Sequence, residues 1–175
     1  MKHTNFLTVV LMLCAVSSIA EGCQESDLDI MAGSYTYKTS GIVGLLPTQL
    51  IGTGLPVDTT WVALTPEQGQ INIARKDADK SLMLVTWNDI TGNACSTDAV
   101  LEGDELTLTL TPNTKTATLT DGKDTLGGGV VKYSGTATLY DNMLIFSLQY
   151  QGSFTISSTP MTIVDSKIEC IAKAN

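Results

Sequence analysis

The sequence has little of what most enzyme chemistry uses. Its single histidine is His3, three residues from the start. Everything after that point lacks an imidazole. This removes Ser–His–Asp and Cys–His catalysis and every histidine-based zinc site. Arginine occurs once, as Arg75, and no cluster of four basic residues exists. With a net charge of −8 and a pI near 4.4, the chain repels phosphate backbones, and nucleic acid is not an expected partner. There is no glycine-rich phosphate loop leading into a helix and no nucleophile elbow. The four cysteines include no C-x-x-C pair and no metal-ligand spacing. No cofactor and no metal site is expected.

What is present begins with an export signal. Lys2 and His3 precede an apolar run from Phe6 to Ile19, followed by small residues. That run is too short for a bilayer span, which needs about 20 residues, and its order is that of a signal peptide. Residues 1–22 are assigned to it. Ser18-Ile19-Ala20 allows a cut after Ala20, whereas Ala20-Glu21-Gly22-Cys23 resembles a degenerate lipobox. Cysteine arithmetic favours the second. Cys14 leaves with the signal, so Cys23, Cys95 and Cys170 remain, and acylation of Cys23 explains the odd thiol. Residues 23–30 then read as an acidic tether, similar to the export signal after the lipid cysteine of Bacteroidetes surface lipoproteins. The expected location is the outer membrane, reached through the lipid anchor alone and possible on the cell surface. If Cys23 is not lipidated, the protein is periplasmic or secreted. Cys95 and Cys170 either form a disulfide or stay as two separate buried thiols.

Residues 31–175 form one domain with a period of two. Leu106, Leu108 and Leu110 alternate with threonines, as do Ala117 and Leu119, and Ala137 and Leu139. Apolar residues on one sheet face and β-branched polar ones on the other mark half-buried antiparallel strands. Turn signals separate the runs at Asp77–Lys80, Glu102–Asp104 and Asp141–Asn142. Asp121–Asp124 and Gly127–Gly129 read as the two ends of a longer loop. Gln151-Gly152 reads as a bulge, and Pro160 as the end of a run. The count is eight to ten strands joined by short hairpins, hence an all-β, single antiparallel up-and-down β-barrel. Gly41–Pro56 is apolar without alternation. It reads as an irregular segment on the core, a wide bent strand, an apolar loop over the barrel mouth, or a partner-docking loop.

Three stretches then point to a family. Gly33-Ser34-Tyr35 opens the first strand, Trp87-Asn88-Asp89-Ile90-Thr91-Gly92 accompanies the meander, and the chain ends Ile168-Glu169-Cys170-Ile171-Ala172-Lys173-Ala174-Asn175. Together they resemble small lipocalin-like (calycin-like) β-barrel lipoproteins of gut Bacteroidetes. The resemblance implies a barrel with a small apolar ligand and carries over no defined site.

Tyr35, Trp61 and Trp87 are the candidate cavity residues, each equally readable as core. Most carboxylates sit in turns and read as solvated caps. A two-carboxylate glycosidase is the one enzyme class left open. The expected function is a non-enzymatic, lipid-anchored binding module for a small apolar or amphipathic ligand. The alternative is a surface structural or interaction protein that binds a protein or glycan through its loops.

Overall fold

The structure, a computed structural model, describes residues 30–76, 82–102 and 107–175. The signal segment, Cys23, most of the tether, the Asp77–Lys80 turn and the tip of the Glu102–Asp104 turn lie outside the described residues.

Nine antiparallel strands close into a barrel. They are β1 Gly33–Pro47, β2 Thr60–Leu64, β3 Glu67–Arg75, β4 Leu82–Asn88, β5 Ala94–Glu102, β6 Thr107–Thr120, β7 Thr125–Tyr140, β8 Met143–Ile156 and β9 Thr159–Ala174. Each of β3 to β8 pairs with the next in sequence, and β1 closes the ring against β9. The up-and-down meander expected from the short hairpins is thus present. Alternation decides which side chains turn inward. Tyr35, Tyr37 and Thr39 of β1 are buried between exposed neighbours, and Met83 and Val85 of β4 are buried between half-buried ones.

β2 and β3 behave as one interrupted strand. β1 pairs β3 through Gly33–Thr39 and β2 through Ile42–Leu45. β2 then contacts β6 directly at Ala63↔Thr120 and Leu64↔Leu119. The short β4–β5 hairpin therefore widens one end of the barrel only, and the other end tapers. Two apolar clusters fill these ends. Met31, Tyr35, Ile73, Met83, Leu108 and Leu144 belong to the wide end, and Val43, Leu45, Leu64, Leu119 and Phe154 to the narrow one.

Two sequence expectations change, and for the first stretch one of the alternatives is found. Gly41–Pro47 is the second half of β1, a bent strand, and only Thr48–Leu50 (a 3-10 turn) and the following residues leave the sheet. Alternation fails there because Val43, Gly44 and Leu45 are all buried, and the register against β9 shifts between Gly44 and Leu45. Trp61 and Thr59 lie over Gly44, where a side chain would meet them. Gly127–Gly129 is strand rather than loop, and the β6–β7 connection is the tight turn Asp121–Asp124 alone. A Cβ at Gly127 would stand 2.1 Å from the Thr155 carbonyl oxygen, so glycine is required by the close approach of β8. Pro160 lies inside β9, opposite Thr155. The break comes earlier, at Ser157 and Ser158, both with positive φ. The bulge expected at Gln151-Gly152 is present as a register shift between Leu148 and Ser153.

Candidate functional site

Between the two apolar clusters lies a polar waist. Thr39, Glu67, Thr97 and Lys115 are buried there, and they line an interior cavity of about 40 Å³ together with Tyr37, Trp87, Tyr133, Tyr150 and Cys170. Trp87 and Leu148 pack against both clusters, so the cavity has apolar packing above and below it.

Lys115 reaches this waist because of a bulge in β6. Leu108 and Leu110 face inward, the register against β7 shifts between Leu110 and Asn113, and inward positions then become Lys115, Ala117 and Leu119. Pro112 sits inside that irregularity, where its missing N–H breaks no regular ladder. Without the extra residue Lys115 would point into water.

Inside, the Lys115 ammonium donates to the Glu67 carboxylate, and each residue is only 7% exposed. Its Nζ lies 5.7 Å from the centre of the Tyr150 ring, within cation–π range. Removing two charges from water is costly, and the pair persists because each neutralises the other. Trp87 meets Tyr133 edge-on, with ring centres 5.6 Å apart. The Tyr37 hydroxyl donates to the Asn88 carbonyl at 3.0 Å, and the Thr97 hydroxyl to the Thr111 carbonyl at 2.7 Å. Tyr133 differs. It is 3% exposed, yet its hydroxyl has no hydrogen-bond partner of normal geometry among the described residues, although Thr97 lies beside it. An unpaired buried hydroxyl costs about 1–3 kcal/mol.

The site's ionisations follow burial. Burial, reinforced by the Glu67 charge, pushes the Tyr37 phenol up to about 12. Burial likewise raises Tyr133 and Tyr150, and lifts the Cys170 thiol to about 11. These groups are neutral hydrogen-bonding surfaces at physiological pH.

Of the three expected cavity residues, only Trp87 lines the cavity. Tyr35 is buried in the wide-end cluster, and its hydroxyl donates to the Met31 carbonyl at 2.8 Å. Trp61 is 42% exposed on the outside, with Lys167 Nζ 5.0 Å from its ring. β2 turns it outward across Gly44. Cys95 and Cys170 are free thiols, Cys95 half-buried near the start of β5 and Cys170 buried in β9. The Asp121 carboxylate is occupied as a turn cap by the N–H groups of Lys123 and Asp124. Glu67 and Lys115 are not among the expected residues. Their signal is nonetheless in the chain, as Lys115-x-Ala117-x-Leu119 and Glu67-x-Gly69-x-Ile71 place each on the inner face.

No protein-family model and no curated protein matches the chain. Among solved structures it is similar to two redesigned β-barrels. One is 12% identical, with 86% of this chain and 96% of that chain covered and a TM-score of 0.39. The other, mFAP1 bound to DFHBI, is 11% identical, with 85% and 99% covered and a TM-score of 0.40. Neither likeness bears on what this chain binds.

Proposed function

We propose that the protein is a non-enzymatic binding module, exported and anchored by a lipid on Cys23, whose barrel holds a small amphipathic ligand. The observation that carries the reading is the Tyr133 hydroxyl, without a hydrogen-bond partner of normal geometry among the described residues, in the same cavity lining as the Glu67–Lys115 pair. A barrel of this size can be filled with aliphatic side chains, so polar groups in its waist call for a partner. Ile71, Val85 and Phe146 supply the apolar side of the same cavity. Its volume of about 40 Å³ holds roughly three waters. The occupant is therefore a molecule of few heavy atoms or the tip of a larger one. Its polar group is an uncharged acceptor or donor, because the flanking charges already neutralise each other. Export and anchoring rest on the sequence before residue 23 and on the resemblance to lipocalin-like lipoproteins.

The small volume favours a second reading, a filled barrel that serves as a surface interaction protein through its outer face. Native mass spectrometry of protein purified from its host separates the two. A co-purified small molecule, lost in Tyr133→Phe, supports the first. Protein of the bare polypeptide-plus-lipid mass, with no mass difference in that variant, removes it.

A further inference from the structure

The barrel wall is incomplete on one side. β3 pairs with β4 only from Ile71↔Trp87 onward, which leaves Gln68–Gln70 without a strand partner on that edge among the described residues. β5 pairs with β6 only through Ala99–Glu102, so its first residues pair with β4 alone. A groove of about 560 Å³ runs along this gap, within the range of small-molecule clefts. It takes outward-facing residues from β3, β4 and β5, and also Gly69 and Trp87, which turn toward the interior. The wall is thin there. A Cβ at Gly69 would stand 3.2 Å from the Tyr37 ring.

The chemistry of the groove is unusual for so acidic a chain. Gln68, Gln70, Asn72, Thr86, Asn88 and Ser96 line it, all neutral, and each amide or hydroxyl can donate and accept. The amides of Gln68, Gln70 and Asn72 are engaged by no other described residue. The one carboxylate, Asp89, is turned to its own loop, where it accepts from the Thr91 N–H, the Thr91 hydroxyl and the Asn93 N–H. Trp87, half-buried, borders this groove as well as the interior cavity. An anion finds no counter-charge in this groove, a cation finds only Asp89, already engaged by its own loop, and an apolar molecule finds little to cover. A ligand rich in neutral hydroxyls, with C–H faces that pack on an indole, matches both features.

We infer that this lateral groove is a binding site for a neutral glycan, recognised by the free amides of β3 and by Trp87. The site stands apart from the interior cavity, which it approaches only through Trp87 and the Tyr37 ring behind Gly69.

The test is calorimetric titration of the full chain with neutral gluco-, xylo- and chito-oligosaccharides. Tryptophan fluorescence in a Trp61→Phe background, where Trp87 is the remaining indole, runs in parallel. Saturable binding by at least one series is expected. Gln70→Ala with Asn72→Ala should weaken it roughly fivefold or more, and Gln70→Glu should do so while conserving shape. Both positions are exposed, so the thermal transition should not move. Tyr133→Phe should leave saccharide binding intact, which separates this site from the interior one. Three results would overturn the inference: no saccharide binding at millimolar concentration, binding indifferent to Gln70 and Asn72, or capture of extended peptides in place of saccharides.

Discussion

Lys115 and Glu67 form a buried ion pair across 48 positions of sequence, on strands that share no backbone pairing. A bulge turns Lys115 inward, and Glu67 opens β3 just after the Thr65-Pro66 break. Breaking such a pair costs more than the pair itself contributes. Lys115→Met alone should destabilise the protein by about 3–5 kcal/mol, because Glu67 is left buried and unpaired. Adding Glu67→Leu should restore most of the loss or exceed it. Urea unfolding of the two single variants and the double variant completes the cycle, and additive losses would show that the side chains do not interact.

Tyr133→Phe removes a hydroxyl that has no hydrogen-bond partner of normal geometry among the described residues. In ligand-free protein the change should be neutral or stabilising, by about 1 kcal/mol. Ligand-loaded protein should instead lose stability. A thermal midpoint that falls in ligand-free protein would mean that the hydroxyl is already satisfied.

Asp89 holds the β4–β5 turn. Burial raises its carboxyl, but the hydrogen bonds from Thr91 and Asn93 outweigh that and keep it below the ordinary range. A carboxyl lowered on folding stabilises above its unfolded value, about 3.9, and the gain is lost as pH falls through the folded value. Asp89→Ala should cost about 1–3 kcal/mol at pH 7. The gap between wild type and variant should shrink below about pH 4. Denaturant midpoints across that range check it, and a constant gap would place the effect elsewhere.

The two thiols should react unequally. Burial, with the Asp89 charge, raises Cys95, and burial lifts Cys170 to about 11, so neither is an activated thiolate. Half-exposed Cys95 should label first, and Cys170 only on unfolding. Peptide mapping after alkylation reads the order. A Cys95–Cys170 bridge in exported protein would show that the free-thiol arrangement is not the mature one.

Cys23→Ala should move the protein from the membrane fraction to the soluble one. A mature N-terminus at Glu21 without lipid would remove the proposed anchor.

The barrel was legible in the sequence because its cause is local. Leu–Thr and Ala–Thr alternation fixes which face of each strand meets water, and Asp–Asn or Asp–Gly pairs mark where the chain reverses. Even the β6 bulge leaves a trace, as the inward parity is even through Leu110 and odd from Lys115. One exception, Pro160, lies inside β9, and the others are glycine-rich. Gly127–Gly129 reads as loop because glycine breaks isolated strands, yet here it is what lets β7 approach β8.

From its own residues the chain determined an all-β meander, a mostly neutral interior chemistry without imidazole, and an acidic surface, since these follow from side-chain type and spacing. Which side chains meet was decided only by closure. Trp61 and Trp87 have similar strand surroundings, but β2 carries Trp61 outward over Gly44 while β4 turns Trp87 toward Tyr133. Glu67 finds Lys115 because β2 joins β6 at the narrow end. The lateral groove exists because the β4–β5 hairpin pairs at the wide end only. Register between distant strands depends on the whole ring closing at once, and no window of sequence contains it.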